Sequence, residues 1–181
     1  MPSWSKVARR IRVPLGFLFA AVYLWLARPT VLSMVIAAVF VICGLLIRAA
    51  ASGHVKKNEE LTTTGPYSYT RNPLYLGSII LAVGFVIASR SWIVAVIAVV
   101  FFLAVYVPVI RGEEKYLREH FADFDEYCSN VPRLLPRIRP YRSIASSFSQ
   151  HLYWQHREYN ASLGAVLMFA ALLVKFYWFA R

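Results

Sequence analysis

Read along the chain, apolar residues gather into five long blocks, at residues 11–27, 30–47, 74–89, 91–110 and 161–180, with polar residues concentrated between them. A helix rising about 1.5 Å per residue crosses a hydrocarbon core of about 30 Å with blocks of this order, so each reads as a membrane-spanning helix. The first is short in its strictly apolar part and gains length when Arg12 snorkels its head group to the interface. No small-residue cleavage site follows it, and Arg28-Pro29 leads at once into the second block, so it reads as a span rather than a cleaved signal. The expected fold is an all-α integral membrane protein, a single domain over residues 1–181 with five transmembrane helices. A cytoplasmic segment, 111–160, would supply an interfacial helix and a cofactor pocket.

Composition makes lipid the expected solvent. Of 181 residues, 59% are hydrophobic and 16% charged, with mean hydropathy +0.51, whereas an average globular chain is about half apolar and about a quarter charged. Twenty Lys and Arg against nine Asp and Glu give a formal charge of +11, a balance open to nucleic acid, an acidic membrane surface or an anionic ligand. Position decides among them. Basic residues fill the N-terminal tail (Lys6, Arg9, Arg10), the second loop (Arg48, Lys56, Lys57, Arg71) and the segment from Arg111 to Arg157, while the opposite side has Arg28, Arg90, Arg181 and Lys175. This bias puts the N-terminus in the cytoplasm and the C-terminus outside. Most of these cations orient the protein and touch anionic lipid. No helix-turn-helix, zinc-finger or RNA-binding pattern accompanies them, so nucleic acid is not an expected partner. Cys43 and Cys128 form neither a disulfide framework nor a metal spacing.

Every acidic residue, from Glu59 to Glu158, and all four histidines lie in the segments assigned to the cytoplasm, so polar chemistry is expected there. The third and fourth blocks are separated by little more than Arg90 and form a tight helical hairpin whose open end is cytoplasmic. That end should bring Arg71, Asn72 and Pro73 close to Pro108, Val109 and Ile110, with Glu113 and Glu114 one turn on. Gly65-Pro66 turns the chain, Pro73 suits the first helical position, and Asn72 is placed to cap it. A helix start beside Arg71 favours an anion. Gly77 and Gly84 share a helix face and admit close packing by another helix or a ligand. Carboxylates at a membrane boundary are costly, which singles out Glu113 and Glu114. Leu117, Phe121, Phe124 and Cys128 recur at helical spacing and predict one amphipathic interfacial helix, ended by Val131-Pro132-Arg133-Leu134-Leu135-Pro136. Tyr153, Trp154 and Tyr159, among His151, His156 and Arg157, suit the headgroup zone and equally a cap on the cytoplasmic pocket; the two histidines are read as interfacial.

Gly65-Pro66-Tyr67, Arg71-Asn72-Pro73-x-Tyr75-x-Gly77, Glu113-Glu114, Phe121, Tyr127 and Val131-Pro132-Arg133, in this order around one hairpin, resemble the isoprenylcysteine carboxyl methyltransferase family and its relatives, the phospholipid N-methyltransferases. The resemblance covers residues 57–136. It implies S-adenosylmethionine as cofactor, bound in a cytoplasmic pocket, and a lipid-like or amphiphilic acceptor arriving from the bilayer. By the same resemblance Glu59, Glu60, Leu61, Thr62, Tyr67, Asn72, Pro73, Leu74, Tyr75 and Glu113 would contact the cofactor, with Glu114 in support. Arg71 and Arg111 are the candidate catalytic residues. No metal is required by the chemistry.

This chain departs from the family at three positions. Asn72 stands where the family often has His, and Glu59 where a His commonly precedes the Gly-Pro-Tyr turn. Val109 takes the place of an arginine four residues before the glutamate pair, leaving Arg111 nearest to it. No convincing general base is found, which favours an already anionic carboxylate as acceptor over a protonated amine. The alternatives are an NADPH-dependent membrane reductase of related architecture and a non-catalytic scaffold or lipid-binding protein. No obligate protein partner is inferred, and compact loops fit a bacterial inner membrane.

Overall fold

The structure, a computed structural model, describes residues 4–56, 59–142 and 147–179. Lys57, residue 180 of the fifth block, Arg181 and the side chains of Lys6, Arg9, Arg10 and Arg12 lie outside what is described. Among the described residues all regular structure is helical: α1 (Trp4–Leu26), α2 (Val31–Ser52), a 3-10 turn (Gly65–Ser68), α3 (Pro73–Ser89), α4 (Trp92–Phe101), a π-helical turn (Phe102–Tyr106), α5 (Val107–His120), α6 (Phe124–Asn130), α7 (Gln150–Gln155) and α8 (Tyr159–Phe179).

Three helical runs are long and apolar enough to cross a membrane: Val31–Ser52, Trp92–His120 and Tyr159–Trp178. Three of the five expected spans are thus candidates by length and composition; the other two blocks form shorter apolar helices, Pro14–Leu26 and Pro73–Ser89. At about 1.5 Å per residue, the 17 residues of α3 reach about 25 Å, short of a hydrocarbon core of about 30 Å. The first helix begins at Trp4, earlier than the apolar block, because Lys and Arg are good helix formers that extend a helix into the polar zone. The fourth run continues past Ile110 to His120, passing through the π-helical turn two residues before Pro108, which lacks the N–H for a regular intrahelical bond.

The helices form two compact units. The first gathers residues through 41, 82–113 and those from 164 on. Its core joins Tyr23, Ala27, Met34, Ala37, Ala88, Val94 and Leu172. Buried polar groups there are paired: the Tyr23 hydroxyl donates to the Phe85 carbonyl at 2.9 Å and the Arg28 amide to the Ser89 carbonyl at 2.9 Å. Arg90, at φ 51°, makes the reversal between α3 and α4, and the Ser91 hydroxyl caps α4 by accepting from the Val94 amide. Outward-facing side chains are apolar, including Trp25, Leu32, Trp92 and Trp178, as a lipid environment requires.

The second unit comprises residues 42–81 and 114–163. Here α2 and α3 meet through glycine. A Cβ on Gly44 would lie 2.6 Å from the Gly77 carbonyl oxygen, and one on Gly77 would lie 2.7 Å from that of Gly44. The close packing expected at Gly77 is therefore filled by α2. Within the first unit, Gly84 meets the Ala37 carbonyl in the same manner. One turn from Gly44, Arg48 pairs with Glu158 at 2.5 Å and donates to the Ser78 hydroxyl, tying α2 to α3 and to the turn before α8. His156 Nδ1 lies 3.1 Å from the Ser52 carbonyl, a further contact between the turn before α8 and the end of α2.

The predicted single helix from Leu117 to Cys128 is interrupted. Residues 121–123 form a turn in which the Phe124 amide donates to the Phe121 carbonyl, and α6 starts at Phe124. The break lets Phe124 and Tyr127 fold back into one cluster with Val131, against Leu61, Leu117, Phe121, Cys128 and Tyr141. The apolar positions were read correctly, but they fill a core and not a lipid-facing stripe.

Gly77→Val is expected to destabilise the protein by about 1–3 kcal/mol through overpacking against α2, measured by thermal unfolding in detergent. Gly164→Ala, where an added Cβ meets nothing within 4 Å, should be neutral or slightly stabilising in the same assay.

Candidate functional site

The 3-10 turn over Gly65–Ser68 follows from its sequence: Gly65 adopts φ +56° and Pro66 fixes the next residue. The Ser68 hydroxyl closes it on the Gly65 carbonyl at 2.7 Å. The buried Tyr127 hydroxyl donates to the Tyr67 carbonyl at 2.6 Å, fixing the turn to α6, and burial pushes the Tyr127 phenol well above its ordinary range. The following step, residues 68–72, leads into α3 at Pro73, where the Leu76 amide donates to the Asn72 carbonyl.

A second stretch, 132–141, runs along this step and is hydrogen-bonded to all five of its residues. The amides of Arg71, Arg137 and Tyr141 pair with the carbonyls of Pro132, Tyr69 and Ser68, each at 2.9 Å. The Thr70 hydroxyl reaches the carbonyls of Arg133 at 3.2 Å and Leu134 at 3.1 Å. This strap carries Arg133 to the buried carboxylate of Glu114. Arg133 Nε lies 3.0 Å from both carboxylate oxygens and Nη2 2.7 Å from Oε2, a bidentate pair. The hydrogen bonds it donates to the Glu114 carboxylate hold the Arg133 guanidinium above its ordinary pKa.

Two further groups converge on Glu114. Asn72 Nδ2 is 3.4 Å from it and 3.1 Å from the Arg133 carbonyl, and Arg71 Nη1 is 3.8 Å away. The start of α3 and the last turns of α5 therefore do meet. The anion favoured by Arg71 and the helix start is, in the first instance, the protein's own Glu114. Asn72 precedes the helix as expected, yet its amide nitrogen serves Glu114 and the strap. Arg71 also donates from Nη1 to the Cys128 sulfur. Its Nε–H is buried with no acceptor within reach, a donor that a bound carboxylate or phosphate would satisfy.

The remaining candidates differ in burial. Pro73, Thr62 and Tyr67 are buried, and the Thr62 hydroxyl accepts from the Lys56 amide at 3.2 Å. Leu61, Leu74, Tyr75 and Glu113 are half-buried, whereas Glu59, Glu60 and Arg111 are exposed. Glu60 pairs with Lys56 at 3.2 Å. Arg133 belongs to the Val131-Pro132-Arg133 motif and to the basic cytoplasmic segment, and neither pattern assigns it a partner. Its role as the partner of Glu114 depends on a strap that returns from nineteen residues downstream, and only the Val-Pro-Arg pattern pointed to it. Among the described residues, no three His, Cys, Asp or Glu side chains gather as a metal site.

Removing Arg133 leaves a buried carboxylate short of its main partner. Because the Arg133 side chain is 47% exposed and that of Glu114 only 8%, water restores part of the loss. Arg133→Ala should cost about 2 kcal/mol, below the ~3–5 of a fully buried pair. In a double-mutant cycle with Glu114→Gln, read by thermal unfolding, the second change should cost less than it does alone.

Residues 49–123 match the phospholipid methyltransferase family. The chain is also 39% identical over 88 residues to the nickel-cobalt-cadmium resistance protein NccN of Alcaligenes xylosoxydans xylosoxydans, covering 49% of this chain and 41% of that protein. It is 34% identical over 97 residues to the cobalt-zinc-cadmium resistance protein CzcN of Cupriavidus metallidurans, covering 54% and 44%. The chain thus spans less than half the length of these two relatives. No solved structure matches it. The resemblance read from the motifs and this match overlap in the stretch that holds Arg71, Asn72 and Glu114: residues 49–123 are similar to the phospholipid methyltransferase family.

Proposed function

We propose that this chain is an S-adenosylmethionine-dependent methyltransferase acting on a lipid-like or amphiphilic acceptor at the cytoplasmic face of a bacterial inner membrane. The observation that carries the reading is the family match over residues 49–123, the stretch that includes the buried Asn72–Glu114 contact.

Within this reading, the Arg71 Nε–H binds the cofactor carboxylate, and Glu113 accepts hydrogen bonds from its ribose hydroxyls or ammonium. Tyr67, Asn72, Pro73, Leu74 and Tyr75, with Glu59, Glu60, Leu61 and Thr62 on the approach, complete the binding surface. Glu114 holds Arg71 and Asn72 in place and is kept from other work by Arg133. When bound, the cofactor supplies an electrophilic methyl group on a sulfonium. The chain's contribution is alignment of donor and acceptor and exclusion of water, with Arg111 orienting an anionic acceptor. Asn72 is a neutral amide bonded to Glu114 and to the strap, so it is no proton acceptor. This favours O-methylation of a carboxylate, which needs no base.

Methylation of a carboxylate removes a negative charge that would attract divalent cations. This gives a physical setting in which such an enzyme would bear on metal resistance, the property recorded in the relatives' names.

In purified protein, S-adenosylmethionine should bind by titration calorimetry in detergent. Glu113→Gln, Tyr75→Ala and Arg71→Met should each weaken it by about tenfold or more, the loss expected of one charge-assisted hydrogen bond or its packing equivalent. Undiminished binding in all three overturns the site. Incubated with membrane lipid and methyl-labelled cofactor, the protein should yield label released as methanol by mild base, the mark of a methyl ester. Base-stable label would assign the methyl group to nitrogen.

A further inference from the structure

The strap that pairs with residues 68–72 has an outer face that the binding site does not use. Leu135 is 79% and Ile138 97% exposed, the latter nearly as bare as in an unfolded chain. Beside them Arg139 and Arg142 are exposed, Arg142 lying over the Tyr141 ring at 5.4 Å. Residues 131–142 contain no Asp or Glu. The inner face is fully committed: Tyr141, Arg137 and Thr70 hold the two stretches together, and Arg133 closes on Glu114. The bare apolar tips and the cations therefore point away from the junction on a segment whose backbone is held firmly.

We propose that residues 132–142 form a wedge for an anionic lipid surface, with Leu135 and Ile138 among the acyl chains and Arg139 and Arg142 on headgroup phosphates. Location supports a bilayer as the occupant. The strap is bonded to the residues that immediately precede α3, an apolar helix, and so lies at the level where that helix leaves the hydrocarbon. Size does too: two protruding side chains offer far less than the ~800 Å² per partner of a stable protein interface, yet suit interfacial insertion. Charge is complementary, since exposed arginines without acidic neighbours on the strap are drawn to anionic headgroups.

Anchorage has a consequence for the junction. A strap held by lipid fixes the acceptors for the Arg71 amide and the Thr70 hydroxyl, and with them the position of Arg71. Lipid composition would then set how firmly the Arg71–Asn72 step is held. This inference does not rest on methyl transfer, and its test needs no cofactor.

The full chain is reconstituted in vesicles of phosphatidylcholine alone or with a third phosphatidylglycerol. A nitroxide is placed at Ile138→Cys in a Cys43→Ser background, with Cys43→Ser alone reporting any label on Cys128. Power-saturation measurements should place the label in the acyl region of the anionic vesicles, and Arg139→Gln with Arg142→Gln should shift it toward water, each arginine being worth roughly fivefold in partitioning. Hydrogen exchange of peptides containing Arg71 and Tyr141 should slow several-fold in the anionic vesicles. A label equally water-accessible in both vesicles overturns the wedge. So does one immobilised without lipid exposure, as a second copy or a protein partner would produce. Equal exchange in the two vesicles overturns the link to Arg71.

Discussion

A carboxylate buried where a long apolar helix ends has to be neutralised within the protein, and Glu114 sets that requirement for everything around it. Desolvation there costs several kcal/mol unless cations and donors surround the group. The Arg133 fork, the Asn72 amide and Arg71 meet it from two separate stretches of chain. Neither stretch would hold its conformation alone. The step before α3 has no regular structure of its own, and the strap from Pro132 is rich in proline. Each supplies the other's hydrogen bonds, and Glu114 fixes the register between them.

The same logic recurs between α2 and the turn before α8, where Arg48 and Glu158 pair next to Ser78. Between these two ionic points the helices are brought together by absent side chains. Gly44 and Gly77 let the backbones of α2 and α3 approach to distances that a Cβ would forbid. Lipid offers little drive for apolar side chains to associate, so close backbone contact and buried polar pairs supply what a hydrophobic core supplies in water.

The helical blocks, the start of α3 at Pro73, the packing face of Gly77 and the meeting of Arg71 with Glu114 were legible in the sequence. They depend on local rules: apolar length, proline at a first turn, small residues at helical spacing, a hairpin with almost no loop. The Arg48–Glu158 pair and the Arg133 fork were not legible, because contacts between residues far apart in the chain leave no periodic mark. The break at residues 121–123 was missed for a related reason. Helical spacing of Leu117, Phe121, Phe124 and Cys128 describes one face equally well for a continuous helix and for two pieces folded onto a shared cluster. The order of the motifs gave a resemblance that the match over residues 49–123 shares, while the partners of each side chain required tertiary structure.

The strap also imposes an order on biosynthesis. Glu114 leaves the ribosome nineteen residues ahead of Arg133, at the end of a helix that the insertion machinery treats as apolar. In that interval its charge has Arg71 and Asn72, already synthesised, but not the Arg133 fork. A nascent chain stalled before the strap would therefore present an incompletely compensated acid at the membrane boundary, a mark by which quality-control proteases could tell unfinished copies from mature ones.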